Sequence, residues 1–326
     1  MENTYNMVDI AVMIEGQDGL TWPRWQRLMA AAEDSGFAGL FRSDHFTNSR
    51  PPDKDSLEMI VSITYVADHT QRIHFGPLVA PLSVRNPTIL ARQAASIDDL
   101  SGGRMILGLG AGWQEREHTL FGHELGDIQT RMARFEEGLE VITRLLHSDE
   151  PVTYEGKFFH LRGATLLPRP SRPGGPPIMV GGNGIKRTLP LVARFANIWN
   201  GLSLTPEAFR QRSERLDELL LAQMRQPNEV KRTMMTTLYF GRDMEELDRR
   251  LSWRLGVPEM ADRPLIDVME TLHTSGRAIV GTPDMVIKQI RAYEDAGVQE
   301  LMMQWFDMDD IDGLRAFAES VLPQVQ

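Results

Sequence analysis

Short apolar runs alternate along the chain with longer stretches in which apolar residues recur every three or four positions. Runs of the first kind, bounded by glycine, proline or polar residues, have the length of buried strands. Stretches of the second kind are amphipathic helices. The pattern predicts strands at residues 8–14, 38–41, 73–79, 105–109, 178–180, 198–199, 233–240 and 301–305. Thr21 starts a helix with Pro23 in its first turn, puts Trp25, Leu28, Met29 and Ala32 on one face, and is stopped by Gly36. Pro87 opens a second helix with Ile89, Leu90, Ala94, Ile97 and Leu100 on one side, and a long helix spans roughly 129–147. Others are expected near 206–224, 243–255 and 264–275, and one runs from Thr282-Pro283-Asp284 to Gly297. Eight strands with helices between them, and no sign of a second core, predict an α/β fold: one (β/α)8 TIM-barrel domain over residues 1–326.

The rhythm breaks only at about 150–177. A hairpin (152–154 with 158–161) and five prolines between 168 and 177 mark an insertion over one barrel mouth, since the alternation resumes at once. There is no internal repeat and no low-complexity tract.

Composition narrows the function classes. Hydrophobic residues make up 42% and charged residues 25% of the 326, the balance of a soluble globular protein. The formal charge is −10 and the basic residues are scattered, which argues against a nucleic-acid partner. The absence of cysteine removes disulfides, iron–sulfur clusters and thiol nucleophiles, and fits a reducing cytoplasm. Residues 1–6 are unlike a signal peptide, and no apolar run approaches the ~18 residues of a membrane span. The eight histidines show no HxH or HExxH spacing, so no metal site is expected. The 18 methionines read as core filler.

Three segments carry candidate chemistry. Gly181-Gly182-Asn183-Gly184 stands between a buried strand and a helix, where glycines can aim backbone amides at a phosphate; the plain alternative is a tight turn. Gly108-Leu109-Gly110-Ala111-Gly112 follows another strand. It fails the GxGxxG spacing because position 113 is Trp113, so Gly110 and Gly112 are better read as leaving room for a ligand ring. Ser43-Asp44-His45-Phe46 lies at the C-terminal end of a strand, the barrel face where active sites collect, and histidine exchanges protons near neutrality. A structural role for His45 is the alternative.

Taken with RIHFGPLVAPLSVRNP at 72–87, LSGGRMILGLGAGWQEREHTLFG at 100–122, IMVGGNG at 178–184 and VGTPD at 280–284, these segments resemble the luciferase-like flavin and deazaflavin oxidoreductases, in order and over nearly the whole chain. Asp44-His45 is similar to the pair in members that use coenzyme F420, where luciferase has two histidines. The resemblance thus implies hydride transfer between F420 and a small organic substrate. It implies acid/base work by His45, oriented by Asp44, and a phosphate held by Gly181, Gly182, Asn183 and Gly184. It also implies a non-prolyl cis peptide at Leu78–Val79 behind the ring, and a homodimer. Glu15 is a further candidate for the pocket wall. Trp113 and Ser49 depart from the sugar-phosphate dehydrogenases of the branch, which have a glutamate and a tryptophan there. Ala111 replaces the phosphate-binding arginine of luciferase. The rival readings are an FMN-dependent monooxygenase and a non-catalytic flavin-sequestering protein.

Overall fold

The computed structural model describes residues 7–255 and 264–326; the N-terminal stretch 1–6 lies outside the described residues. Its strands are β1 (Asp9–Ile14), β2 (Gly39–Arg42), β3 (His74–Pro77), β4 (Ala80–Pro81), β5 (Leu107–Gly110), β6 (Val152–Glu155) and β7 (His160–Ala164). β8 (Ile178–Gly181), β9 (Ile198–Leu202), β10 (Lys231–Phe240), β11 (Ala278–Gly281) and β12 (Glu300–Gln304) follow. All but the β6–β7 hairpin belong to one parallel sheet in the order β3-β2-β1-β12-β10-β9-β8-β5-β4. β3 and β4 are two halves of one stave, separated by a cis peptide at Leu78–Val79. A bridge from Phe75 to Met105 closes the ring, with Ile106 N donating to Phe75 O at 2.8 Å. The eight staves are those the hydrophobic pattern predicts.

β11 is an addition that the pattern did not reveal. It pairs with the outer half of β10, Thr237 to Phe240, while the inner half pairs with β12. Its apolar run is only three residues long, too short to stand out between two helical segments. Helices Met59–His69 and Glu115–Phe121 are likewise additions. Ile89 and Leu100 correct the expected inner face of helix Pro87–Leu100: they are 57% and 53% exposed, whereas Leu90, Ala94 and Ile97 are buried. Eleven residues amount to about three turns at 3.6 per turn, so Ile89 and Leu100 share one flank, beside the buried face. Among the described residues no helix is long and apolar enough to cross a membrane.

Side chains alternate along each stave. In β1, Ile10, Val12 and Ile14 join the layer between sheet and helices. Ala11 and Met13 point inward, where Phe41, Leu78, Ile106, Met179, Ile198 and Met302 fill the barrel. Unbranched methionines suit this irregular interior. The hairpin lies along helix Ile128–His147, where Glu137 accepts from the amides of Lys157 (2.9 Å) and Phe158 (2.8 Å).

The N-terminal face is sealed by charge. Asp9, His74, Lys231 and Glu300 each begin a strand. Glu300, fully buried, accepts from His74 Nε2 at 2.6 Å and from Lys231 Nζ at 3.0 Å, and Lys231 also reaches Asp9 at 2.8 Å. Burial pushes the Glu300 carboxyl up, but His74 and Lys231 outweigh it and hold the group below its ordinary value. Replacing Glu300 with Ala strips His74 and Lys231 of their shared carboxylate and should cost about 3 kcal/mol at neutral pH, read from urea denaturation. The contribution is complete above the unfolded glutamate value of about 4.3 and is lost as pH falls through the lower folded value. The gap between wild type and variant should therefore close on acidification; a gap constant with pH would mean that packing, not charge, is what the substitution removes.

Candidate active site

At the opposite face the C-terminal ends of the staves surround a cavity of about 490 Å³. β1 leads to Glu15, β2 to Ser43 and His45, the split stave to Leu78 and Val79, β5 to Gly110 through Trp113, and β8 to Gly181 and Gly182. A smaller cavity of about 310 Å³ adjoins it and shares Glu15, Gln17, His45, Trp113 and Gln304. Of the expected site residues, His45, Leu78, Val79, Gly110, Gly112, Gly181, Gly182 and Glu15 line the main cavity. Asp44, Asn183 and Gly184 do not. A separate cavity of about 470 Å³, beside Tyr239, Arg250 and Trp305, contains none of them.

The partner of His45 is a residue that sequence reasoning missed. His45 Nδ1 lies 3.0 Å from Glu117 Oε1 and 3.1 Å from Oε2, and the Phe46 amide donates to Glu117 Oε2 at 3.1 Å. Glu117 is buried on helix Glu115–Phe121, one turn beyond Trp113. Burial pushes the His45 imidazolium pKa down, but the bond to Glu117 and the charges of Glu117 and Glu15 raise it above the ordinary value. Glu117 answers in kind: burial pushes its carboxyl up, and His45 draws it below the usual range. The two shifts describe one interaction, in which each group favours the charged form of the other. Nδ1 is thereby committed to Glu117, which leaves Nε2 as the nitrogen available to a ligand.

Asp44 requires a correction. Its carboxylate is buried and gripped by Arg85, with Nε to Oδ2 at 2.8 Å and Nη2 to Oδ1 at 2.6 Å. Arg85 also reaches Glu58 at 2.7 Å. Adjacent residues on an extended segment point to opposite sides, so when His45 faces the cavity Asp44 faces away from it. Asp44 anchors the segment, and orientation of the ring falls to Glu117.

The glycines also act differently from expectation. A Cβ at Gly110 would stand 2.4 Å from Val79 Cγ2, and one at Gly112 would stand 2.1 Å from Ser83 Oγ. The room they leave is taken by neighbouring side chains, and this places Val79 on the cavity wall. In the Gly181-Gly182-Asn183-Gly184 loop, Gly182 N already donates to Asn200 O at 2.9 Å, so its amide is not free for a phosphate. Asn183 latches the loop to β9, giving its Nδ2 to Leu202 O (2.7 Å) and taking Leu202 N at Oδ1 (2.9 Å). The amides of Gly184, Ile185 and Lys186 have no acceptor among the described residues. They precede helix Thr188–Phe195, whose first bonds close on Gly184 O.

The match of residues 9–300 to the profile of the luciferase-like monooxygenases decides the family. The chain belongs to it. Luciferase-like relatives include an "F420-dependent glucose-6-phosphate dehydrogenase" of Amycolatopsis mediterranei, 28% identical over 321 residues that cover 90% of this chain and 92% of the relative. Another is the "4-hydroxyprotoasukamycin monooxygenase" of Streptomyces nodosus subsp. asukaensis, 29% identical over 224 residues that cover 68% of this chain and 57% of that one. Among solved structures, an "F420-dependent secondary alcohol dehydrogenase in complex with an F420-acetone adduct" shares the fold with a TM-score of 0.81. It is 21% identical, and the match covers 98% of this chain and 99% of that one.

Within this luciferase-like barrel the His45–Glu117 pair generates a test. In Glu117→Gln the neutral amide retains a hydrogen-bonding atom but not the charge, so the His45 pKa should fall relative to wild type. The midpoint of the His45 ring resonance in a proton NMR titration reads this directly. A midpoint that does not move, or that rises, would separate the elevation from Glu117.

Proposed function

We propose that this luciferase-like enzyme is an F420-dependent oxidoreductase. The cofactor occupies the C-terminal mouth, and hydride passes between it and a small organic substrate. The observation that carries this reading is the His45 ring on the cavity wall, held by Glu117 through Nδ1 and presenting Nε2. Similarity to relatives named as F420-dependent supports the choice of cofactor. The residues present fit a planar ring with a phosphate tail. Leu78, Val79, Leu202 and Met235 offer an apolar bed in a cavity of ligand size, and the unpaired amides of Gly184, Ile185 and Lys186 suit a phosphate at a helix start.

When bound, the deazaflavin supplies the hydride chemistry. The chain supplies position and protons. In the reducing direction His45, whose protonated form is favoured by its pairing with Glu117, would give the Nε2 proton to a carbonyl oxygen as the adjacent carbon gains hydride. In the oxidising direction Nε2 takes the hydroxyl proton. Leu78 and Val79 would shape the bed, Gly110 and Gly112 let the adjoining staves close around it, and Gly181, Gly182 and Asn183 set the loop whose Gly184 end would hold the phosphate. A homodimer is expected, and the lack of cysteine suits a cytoplasmic setting.

Purified protein should bind F420 more tightly than FMN in paired fluorescence-quenching titrations. A preference for FMN would instead support the monooxygenase reading. His45→Ala should lower turnover by roughly 10²–10⁴ while leaving F420 affinity nearly intact, the usual scale for a positioned acid/base. Turnover within a few-fold of wild type would reduce His45 to a wall residue. F420 binding with no hydride transfer to any substrate would favour a sequestering role.

A further inference from the structure

The smaller cavity beside His45 has a charge pattern that restricts what can enter it. Glu15, at the end of β1, contributes to both cavities, and its two oxygens are held by neutral donors only: Gln304 Nε2 at 2.6 Å and Gln17 Nε2 at 2.9 Å. These carboxamides are fixed in turn, Gln304 Oε1 by Thr237 at 2.8 Å and Gln17 Oε1 by Ser43 at 2.7 Å. Among the described residues no lysine or arginine lines either cavity. The basic side chains nearby are engaged with other groups: Arg131 donates to Gly112 O at 3.2 Å. Arg42 is bonded to Ser43 O, Leu57 O and Ser62, Arg85 to Asp44 and Glu58, and Arg116 to Asp53 and Asn48 O. Lys54 sits 3.9 Å from Asp18, the other acid on the wall of the smaller cavity. His45, when protonated, is paired with Glu117.

The remaining walls suit a different ligand. Trp113, 62% exposed, meets the His45 ring edge-to-face at 5.5 Å, and Phe306 closes another side. Asn48, Ser49 and Gln114 add neutral polar groups. Specificity in a closed site comes as much from unmatched charge as from favourable contacts. A phosphate or carboxylate here would lose water and face Glu15 with no lysine or arginine on the cavity wall to pair it. A hydroxyl or carbonyl group finds hydrogen-bond partners, and apolar carbons find Trp113 and Phe306.

Given F420-dependent hydride transfer, on which the inference rests, we propose that the substrate is a non-anionic alcohol or carbonyl compound with an apolar face, and that Glu15 excludes phosphate esters and carboxylates. This sets the chain apart from the relatives named for glucose 6-phosphate. In the oxidising direction the alcohol C–H bond breaks with its electron pair passing to the oxidised deazaflavin. The O–H proton goes to His45 Nε2 and the C=O bond forms; reduction is the reverse.

The test uses protein loaded with F420, so that failure to load speaks against the cofactor assignment and not against this inference. Tryptophan fluorescence and inhibition of hydride transfer would measure binding of four probes: cyclohexanol, trans-4-aminocyclohexanol, trans-4-hydroxycyclohexanecarboxylate and glucose 6-phosphate. The two anions should bind at least about tenfold more weakly than the neutral and cationic members, the scale of one unpaired charge at close range. In Glu15→Gln that gap should narrow, chiefly by gain of the carboxylate and loss of the amine. Anions that bind the loaded wild-type enzyme as well as cyclohexanol would overturn the proposal, as would binding of no member of the series. A gap of the same size in Glu15→Gln would remove Glu15 as its cause.

Discussion

A Cβ at Gly76 would stand 1.9 Å from Ile106 O, and one at Gly108 would stand 2.0 Å from Pro77 O. The third and fourth staves can meet only because neither position carries a side chain, and their meeting turns an open parallel sheet into a barrel. Closure decides the rest. It brings the end of the split stave, with Leu78 and Val79, against Gly110 and Gly181, so that two apolar residues form a floor beside the segment that bears His45. An open sheet would leave the same residues on a solvated edge with nothing to enclose.

The two ends of the barrel use charge in opposite ways. At the N-terminal face Glu300 is wholly buried and satisfied by His74 and Lys231, with Asp9 completing the cluster, and the groups are committed to one another. Gly39 makes this possible, since a Cβ there would lie 2.6 Å from the His74 ring. At the C-terminal mouth His45 is paired through one nitrogen only, and Glu15 is held by amides without a counter-ion. Charge satisfied on every side stabilises a fold. Charge satisfied on one side, at the edge of a cavity, is available for binding and proton transfer.

Arg42 and Arg85 explain how the second stave can end in the segment that carries His45 to the cavity. Arg42 is buried, its pKa lowered by that burial to about 10, and it threads past Gly16 to bond Leu57 O and Ser62. Arg85, from the loop after β4, clamps Asp44 from the other side. With Arg42 and Asp44 both tied into the layer behind, the chain between them has little freedom, and His45 is delivered to the cavity from a rigid base. Rigid support of this kind is what the acid/base role proposed for His45 requires.

The sequence by itself determined the eight staves, the barrel class and the end of the barrel that bears the site, because these follow from hydrophobic periodicity and from glycine and proline positions, which are local. It also placed His45, Leu78, Val79, Gly110, Gly112, Gly181 and Gly182 on one cavity, since each ends a stave. What it could not contain was which group meets which. Glu117 is 72 residues from His45, and nothing in either neighbourhood marks them as a pair; the adjacent Asp44 looked the natural partner until alternation along the extended segment sent it to Arg85. Gly110 and Gly112 were legible as places of close approach, but the approaching groups, Val79 and Ser83, come from another stave. The amide of Gly182 was spent on Asn200 only once β8 and β9 lay side by side. Partnership across the barrel depends on stave order and closure, and those belong to the folded chain alone.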